Sequence, residues 1–190
     1  MPPVVLVHGF LDYPVLLGRM RAHLEARGRT VYVPALASNT GRGGLERLST
    51  HLATYLDATL SPGEPYDLVG LSMGGIVSRY VLQRLGGRDR ARRFVSISAP
   101  HAGTVWARAP LTHGTAQMRP GSAFLRDLDR DVSTLAPLHP VSIWTPYDLT
   151  IVPGRSAVLP VGTSVPIPVP LHALMARDSR VLRRVAEALT

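Results

Sequence analysis

Six short apolar runs recur along this chain, separated by longer stretches with helical spacing. The runs are Val4–Val7, Thr30–Val33, Tyr66–Leu71, Phe94–Ile97, Val141–Thr145 and Val165–Val169. Several are continuously apolar rather than alternating, which is the signature of strands covered on both faces. Leu16–Ala26 carries Leu16, Leu17, Met20 and Leu24 on one helical face, with Arg19, Arg21 and Glu25 elsewhere, and Gly28 ends it. Leu45–Leu60 repeats the pattern with Leu45, Leu48, Leu52, Tyr55 and Leu56 before the breaker Ser61-Pro62-Gly63. Met73–Leu85 and Ala173–Leu189 complete the helical set, and residues 101–139 read as loop with a short helix at Ala123–Leu128. Short strands alternating with helices predict a three-layer α/β/α sandwich around a mostly parallel sheet of about six strands. No internal repeat or boundary interrupts the pattern. The eight prolines of residues 137–170 frame strands rather than form a linker, so residues 1–190 read as one domain.

In such a sheet, functional groups gather beyond the carboxyl ends of the strands. Gly70-Leu71-Ser72-Met73-Gly74 lies there, between an apolar strand and an amphipathic helix. The pentapeptide alone is a weak signal, but its strand–turn–helix context is a strong one. A sharp turn of this kind strains the central residue and lifts its side chain clear of the sheet, while the residues two before and two after are forced together. Ser72 is therefore the candidate nucleophile. A serine hydroxyl needs a base, and the base needs an orienting group. His8, His101 and His172 follow strand ends. His8 reads as a brace for the loop after the first strand, and His172, opening the last helix, reads as the base. Asp148 is the carboxylate that follows an apolar strand and precedes the last strand and its histidine. Asp67 lies at the wrong end of its strand, and Asp127, Asp129 and Asp131 fall in or beside a short helix, where charge usually faces solvent. The order serine, aspartate, histidine fits a triad. The backbone N–H groups of Met73 and Phe10 are the candidate donors to a developing oxyanion. Val105, Trp106, Leu111, Met118, Phe124 and Leu125 either wall an acyl pocket, with Met118 and Phe124 the expected substrate contacts, or simply close the core.

The composition narrows the chemistry further. The chain has no cysteine, which excludes disulfides, thiolate nucleophiles and cysteine metal sites. All 21 basic residues are arginine, and the formal net charge is +8. Attraction to anionic membrane surfaces is one expectation from that charge. Nucleic acid is not expected, because the arginines are dispersed outside Arg88–Arg93 and no aromatic-interleaved basic motif occurs. No apolar run approaches the ~18 residues of a membrane span, and no basic leader precedes the first strand. A cytoplasmic protein is expected, or a secreted one if the chain is a trimmed mature form.

The segments VVLVHGF, LVGLSMGG, SAPHAGT, YDLTIVP and LHALM resemble the α/β-hydrolase fold, and in particular small bacterial lipases and esterases without a cap domain. The resemblance implies Ser72 as nucleophile, Asp148 as acid, His172 as base, and Phe10 and Met73 as oxyanion donors. It implies hydrolysis of carboxylic esters, often of lipids, with no cofactor and no metal. Leu171 departs from the pattern, since relatives commonly place a small residue before the catalytic histidine. The same acyl-enzyme could form from a thioester or yield to an alcohol, so thioesterase and acyltransferase activity are the alternatives. A non-catalytic binding protein on this fold is the rival from another class.

Overall fold

The computed structural model describes residues 1–36, 40–109 and 112–190. Six strands form one sheet in the order β2-β1-β3-β4-β5-β6, and every neighbouring pair is parallel. They are β1 (Val4–Val7), β2 (Val31–Tyr32), β3 (Tyr66–Leu71), β4 (Ala91–Ile97), β5 (Val141–Trp144) and β6 (Thr163–Pro166). β1, β3 and β5 are buried along their length, and β4 from Phe94 onward, as their largely apolar runs require.

Side-chain alternation sends neighbouring residues of one strand into two different cores. Val5, Val7, Leu68 and Phe94 pack toward α2 (Gly44–Thr59) and α3 (Met73–Arg84). Val4, Leu6, Val95 and Ile97 pack on the other side, toward α1 (Gly18–Glu25) and α6 (Ser179–Ala188). Helices therefore cover both faces, and the three layers are as expected. Two short helices, α4 (His113–Gln117) and α5 (Ala123–Asp129), lie in the long connection from β4 to β5.

β4 begins three residues before the expected Phe94, at Ala91, and three further elements differ from expectation. The first helix opens with a 3-10 turn at Pro14–Leu17, because proline at the first position suits a helix start and lacks the N–H needed further in. The last strand ends at Pro166 rather than Val169: Pro166, Pro168 and Pro170 lack the N–H that would extend the ladder. The closing helix is two pieces. A 3-10 turn spans His172–Ala176, and α6 begins after Asp178, whose side chain accepts the Arg180 N–H at 2.9 Å. This N-cap restarts the helix, so His172 opens a short turn and not the last helix.

At the amino edge of the sheet, Asp67 is fully buried and holds the guanidinium groups of Arg29 and Arg92. Arg29 also donates to the carbonyls of Pro2 (2.8 Å) and Leu189 (3.1 Å), and Arg92 to that of Thr190 (3.2 Å). A carboxylate without these partners would be costly to bury here.

Candidate active site

Ser72 sits between β3 and α3 with φ 53° and ψ −127°, a conformation sparsely populated by L residues. Its amide donates to the Ile97 carbonyl at 2.8 Å, which anchors the turn to β4. The glycines on either side leave no room for a side chain. A Cβ on Gly70 would lie 2.5 Å from Gly75 Cα, and one on Gly74 would lie 2.5 Å from the His8 carbonyl oxygen and meet that of Val7. These are backbone atoms, so neither clash can be relieved by a rotamer change. The turn thus presses α3 against the end of β1, and Gly9 completes the contact: a Cβ there would lie 3.0 Å from Ser72 Cβ.

His172 is joined to Asp148. Its Nδ1 lies 2.8 Å from Oδ2 and 3.1 Å from Oδ1, and Oδ1 also accepts the N–H groups of Ile151 (2.8 Å) and Thr150 (2.9 Å). Burial of Asp148 opposes its ionisation, but the His172 hydrogen bond and charge, with the two amides, outweigh burial and hold the carboxyl below its usual range. A carboxylate that accepts at Nδ1 fixes the proton there and leaves Nε2 as the basic nitrogen. Among the described residues no hydrogen bond joins Nε2 to Ser72 Oγ, a contact that often tightens only when substrate is present.

The loop that carries Asp148 is itself clasped. Thr104 Oγ1 donates to the Thr150 carbonyl at 2.9 Å and accepts from the Val152 N–H at 3.1 Å. Trp106 Nε1 donates to the Leu149 carbonyl at 2.7 Å. The loop that carries Asp148 is therefore held, through Thr104, by the SAPHAGT segment. His101 within it is fully buried, its Nε2 2.9 Å from Ser96 Oγ, and burial followed by the Arg79 charge pushes its pKa well down. His8 is buried as well, and Leu36 N–H donates to its Nε2 at 3.1 Å. The proton must then be on Nδ1, which donates to the Gly9 carbonyl at 3.1 Å. Burial keeps this ring neutral. His8 thus braces the loop that carries Phe10.

Asp12 was not singled out by sequence reasoning. Its Oδ2 accepts the Gly9 N–H at 3.2 Å, and it feels the charges of His8 and His172. Burial outweighs these effects and raises its pKa. The one available signal was its position just beyond the first strand. Asp127, Asp129 and Asp131 belong to a different structure: they pair with Arg84 and Arg79 of α3, Arg79 being fully buried.

A cavity of about 320 Å³ opens above Ser72. Phe10 and Met73 share its lining with Ser72, and among the described residues neither of their N–H groups meets a protein acceptor. Trp106, Met118, Leu149 and Ile151 supply apolar wall. Ser72 is 8 % exposed, so its hydroxyl meets solvent only through this cavity. Phe124 lies away from the wall expected of it: it stacks on Tyr80 with ring centroids 5.4 Å apart, inside the core beside α3, where Leu125 joins it. Leu111 lies outside the described residues. Among the described residues no group of three or more His, Asp or Glu is arranged to hold a metal, and no helix is long and apolar enough to cross a membrane.

A parallel sheet of this order with a strained serine between β3 and α3 defines the α/β-hydrolase fold. Solved structures of that class superpose on nearly the whole chain at low sequence identity. Lipase B of Aspergillus fumigatus matches with TM-score 0.84 and 17 % identity, over 99 % of this chain and 52 % of the other. The mature lipase BlEst2 of Bacillus licheniformis matches with TM-score 0.77 and 15 % identity, over 99 % and 91 %. Within the fold, the chain belongs to the palmitoyl protein thioesterase family, whose sequence model it matches over residues 3–134. A protein of Mycobacterium tuberculosis described as probable oxidoreductase EphD is 35 % identical over 107 residues, covering 52 % of this chain and 18 % of that protein. The chain thus spans under a fifth of the length of that relative and about half of the Aspergillus lipase.

Proposed function

We propose that this protein is a serine hydrolase that cleaves carboxylic esters through an acyl-enzyme on Ser72. Ser72 Oγ attacks the acyl carbonyl while His172 Nε2 takes its proton. The oxyanion that forms is met by the N–H groups of Phe10 and Met73, the latter at the positive end of α3. The imidazolium, stabilised by Asp148, returns the proton to the departing alcohol. Water then attacks the acyl-enzyme by the same route and releases the acid. The apolar wall at Trp106, Met118 and Leu149 suits the acyl chain. The observation that carries this reading is the 2.8 Å pairing of His172 Nδ1 with Asp148, on the edge of the sheet where the elbow presents Ser72. The reading extends to residues 1–190 as one domain.

The family match favours a second reading, hydrolysis of acyl thioesters, in which a thiol leaves in place of the alcohol. A panel of p-nitrophenyl esters and acyl-CoA thioesters of rising chain length decides between them. In either case Ser72→Ala abolishes turnover and labelling by a fluorophosphonate while the melting temperature stays near wild type. Labelling that persists at another serine overturns the assignment.

A further inference from the structure

Ten large apolar side chains are exposed among the described residues, and eight of them follow the carboxyl ends of just four strands. Among the eight, Tyr13 and Val15 follow β1, Trp106 follows β4, Tyr147 and Leu149 follow β5, and Leu174 follows β6. Tyr13, Val15 and Leu149 are each at least 70 % exposed. These four loops converge on the edge that carries Ser72, and Trp106 and Leu149 also line the cavity above it. Scattered exposed apolar groups need no explanation, whereas a concentration on one face marks an interaction surface.

The charge on these loops is equally one-sided. Arg108, Arg155 and Arg177 are exposed, and among the described residues none of them forms an ion pair. The carboxylates of the same connections are all engaged: Asp12 is half-buried against Gly9 N–H, Asp148 is buried and holds His172, Asp178 pairs with Arg180, and Asp127, Asp129 and Asp131 pair with Arg84 and Arg79. The dense arginine cluster of the sequence lies elsewhere. Arg88, Arg92 and Arg93 border a hollow of about 610 Å³ beside the start of β4, at the opposite edge of the sheet, and Arg90 and Arg92 are paired there with Asp57 and Asp67.

We infer that the edge of the sheet bearing Ser72 docks on a phospholipid bilayer with acidic headgroups, its apolar side chains entering the interface and Arg108, Arg155 and Arg177 meeting the phosphates. Tyrosine and tryptophan at the contact suit an interface that is apolar on one side and wet on the other. Apolar insertion and cationic attraction acting together are what reversible membrane association requires. The mouth of the cavity would then open onto the bilayer, so that an acyl chain passes from lipid to apolar wall without crossing water. The inference builds on the acyl-substrate reading, but its test does not depend on turnover.

The test uses full-length Ser72→Ala protein and sedimentation with vesicles of phosphatidylcholine alone or mixed with phosphatidylglycerol. Binding to the mixed vesicles is expected, weakening as salt is raised. The triple variant Tyr13→Ser, Val15→Ser, Leu174→Ser should bind at least about tenfold more weakly, because insertion strength scales with buried apolar area, while its melting temperature stays at that of the parent. Arg108→Gln and Arg177→Gln should each weaken binding about fivefold. Absence of binding, or a triple variant that binds like its parent, overturns the inference. So does a loss confined to Arg88→Gln and Arg93→Gln, which would move the contact to the opposite edge. A dimer of the parent that the triple variant abolishes would assign the face to a second copy of the chain and equally overturn it. Failure of the ester and thioester panel with vesicle binding intact would count against the catalytic reading alone.

Discussion

Asp148→Asn tests the proposed acid, and its surroundings make the outcome unusually predictable. Oδ1 accepts two backbone N–H groups, from Ile151 and Thr150, at 2.8 and 2.9 Å, and Oδ2 accepts His172 Nδ1 at 2.8 Å. An asparagine must keep its carbonyl at the Oδ1 position, since the opposite rotamer would aim an NH₂ at two amide donors. Each donor stranded that way costs about 1–3 kcal/mol. The asparagine NH₂ is therefore held against Nδ1, which must accept rather than donate. The imidazole proton moves to Nε2, and the nitrogen needed as base becomes a donor. Loss of the tautomer and of the supporting charge corresponds to a fall in kcat of about 10⁴, or about 5.5 kcal/mol in the barrier. The assay is kcat on a soluble p-nitrophenyl ester, with a thermal melt to show that the variant folds. A folded variant that retains more than a tenth of wild-type kcat refutes the tautomer argument. A greater loss in Asp12→Asn would move the acid's role to Asp12, the other carboxylate that feels the charge of His172.

Gly74→Ala should lower stability by at least about 1–3 kcal/mol, because its Cβ meets the rigid carbonyls of Val7 and His8; chemical denaturation measures this, and a neutral result would mean that the end of β1 yields. Met118→Trp should narrow the cavity and depress rates on long esters more than on short ones, whereas Phe124→Ala should cost about 3 kcal/mol of stability and alter all chain lengths alike, as its place against Tyr80 requires. The hydrogen bond to Arg180 is the main cause holding the Asp178 carboxyl at about 2, below its ordinary 3.8. A depressed carboxylate stabilises the fold above the unfolded value and loses that contribution as pH falls through the folded one. The difference in stability between wild type and Asp178→Asn should therefore be constant above about pH 5 and vanish only by about pH 1, below both values; a difference that grows on acidification would contradict it.

Much of this arrangement was legible because it depends on local spacing. The run Tyr66–Leu71 marks β3 to the residue, and the glycines around Ser72 record a backbone contact that only they permit. The position of Asp148 followed from the end of an apolar strand. What escaped depends on partners distant in sequence. Arg79 is a buried charge in an apolar helix, tolerable because Asp129 arrives from fifty residues away. Thr104 resembles any loop threonine until the loop carrying Asp148 folds against it. Phe124 and Met118 look alike as apolar residues on one connection, and only the packing of α5 on α3 separates core from cavity. The break before α6 was concealed because residues 173–189 keep helical spacing across the cap at Asp178.

The guanidinium of Arg29 draws the carbonyls of Pro2 and Leu189 to within 2.8 and 3.1 Å of its own nitrogens. The first and last segments of the fold therefore meet at one point, diametrically opposed to the serine edge. A bridge of about four residues, which reaches about 13 Å when extended, would close residues 1–190 into a ring. New ends could then be cut in an exposed turn such as Ser61–Gly63. The order in which the strands leave the ribosome is in this sense separable from the order in which the sheet is assembled, and a fusion partner joined at either end would hang from the side remote from the cavity.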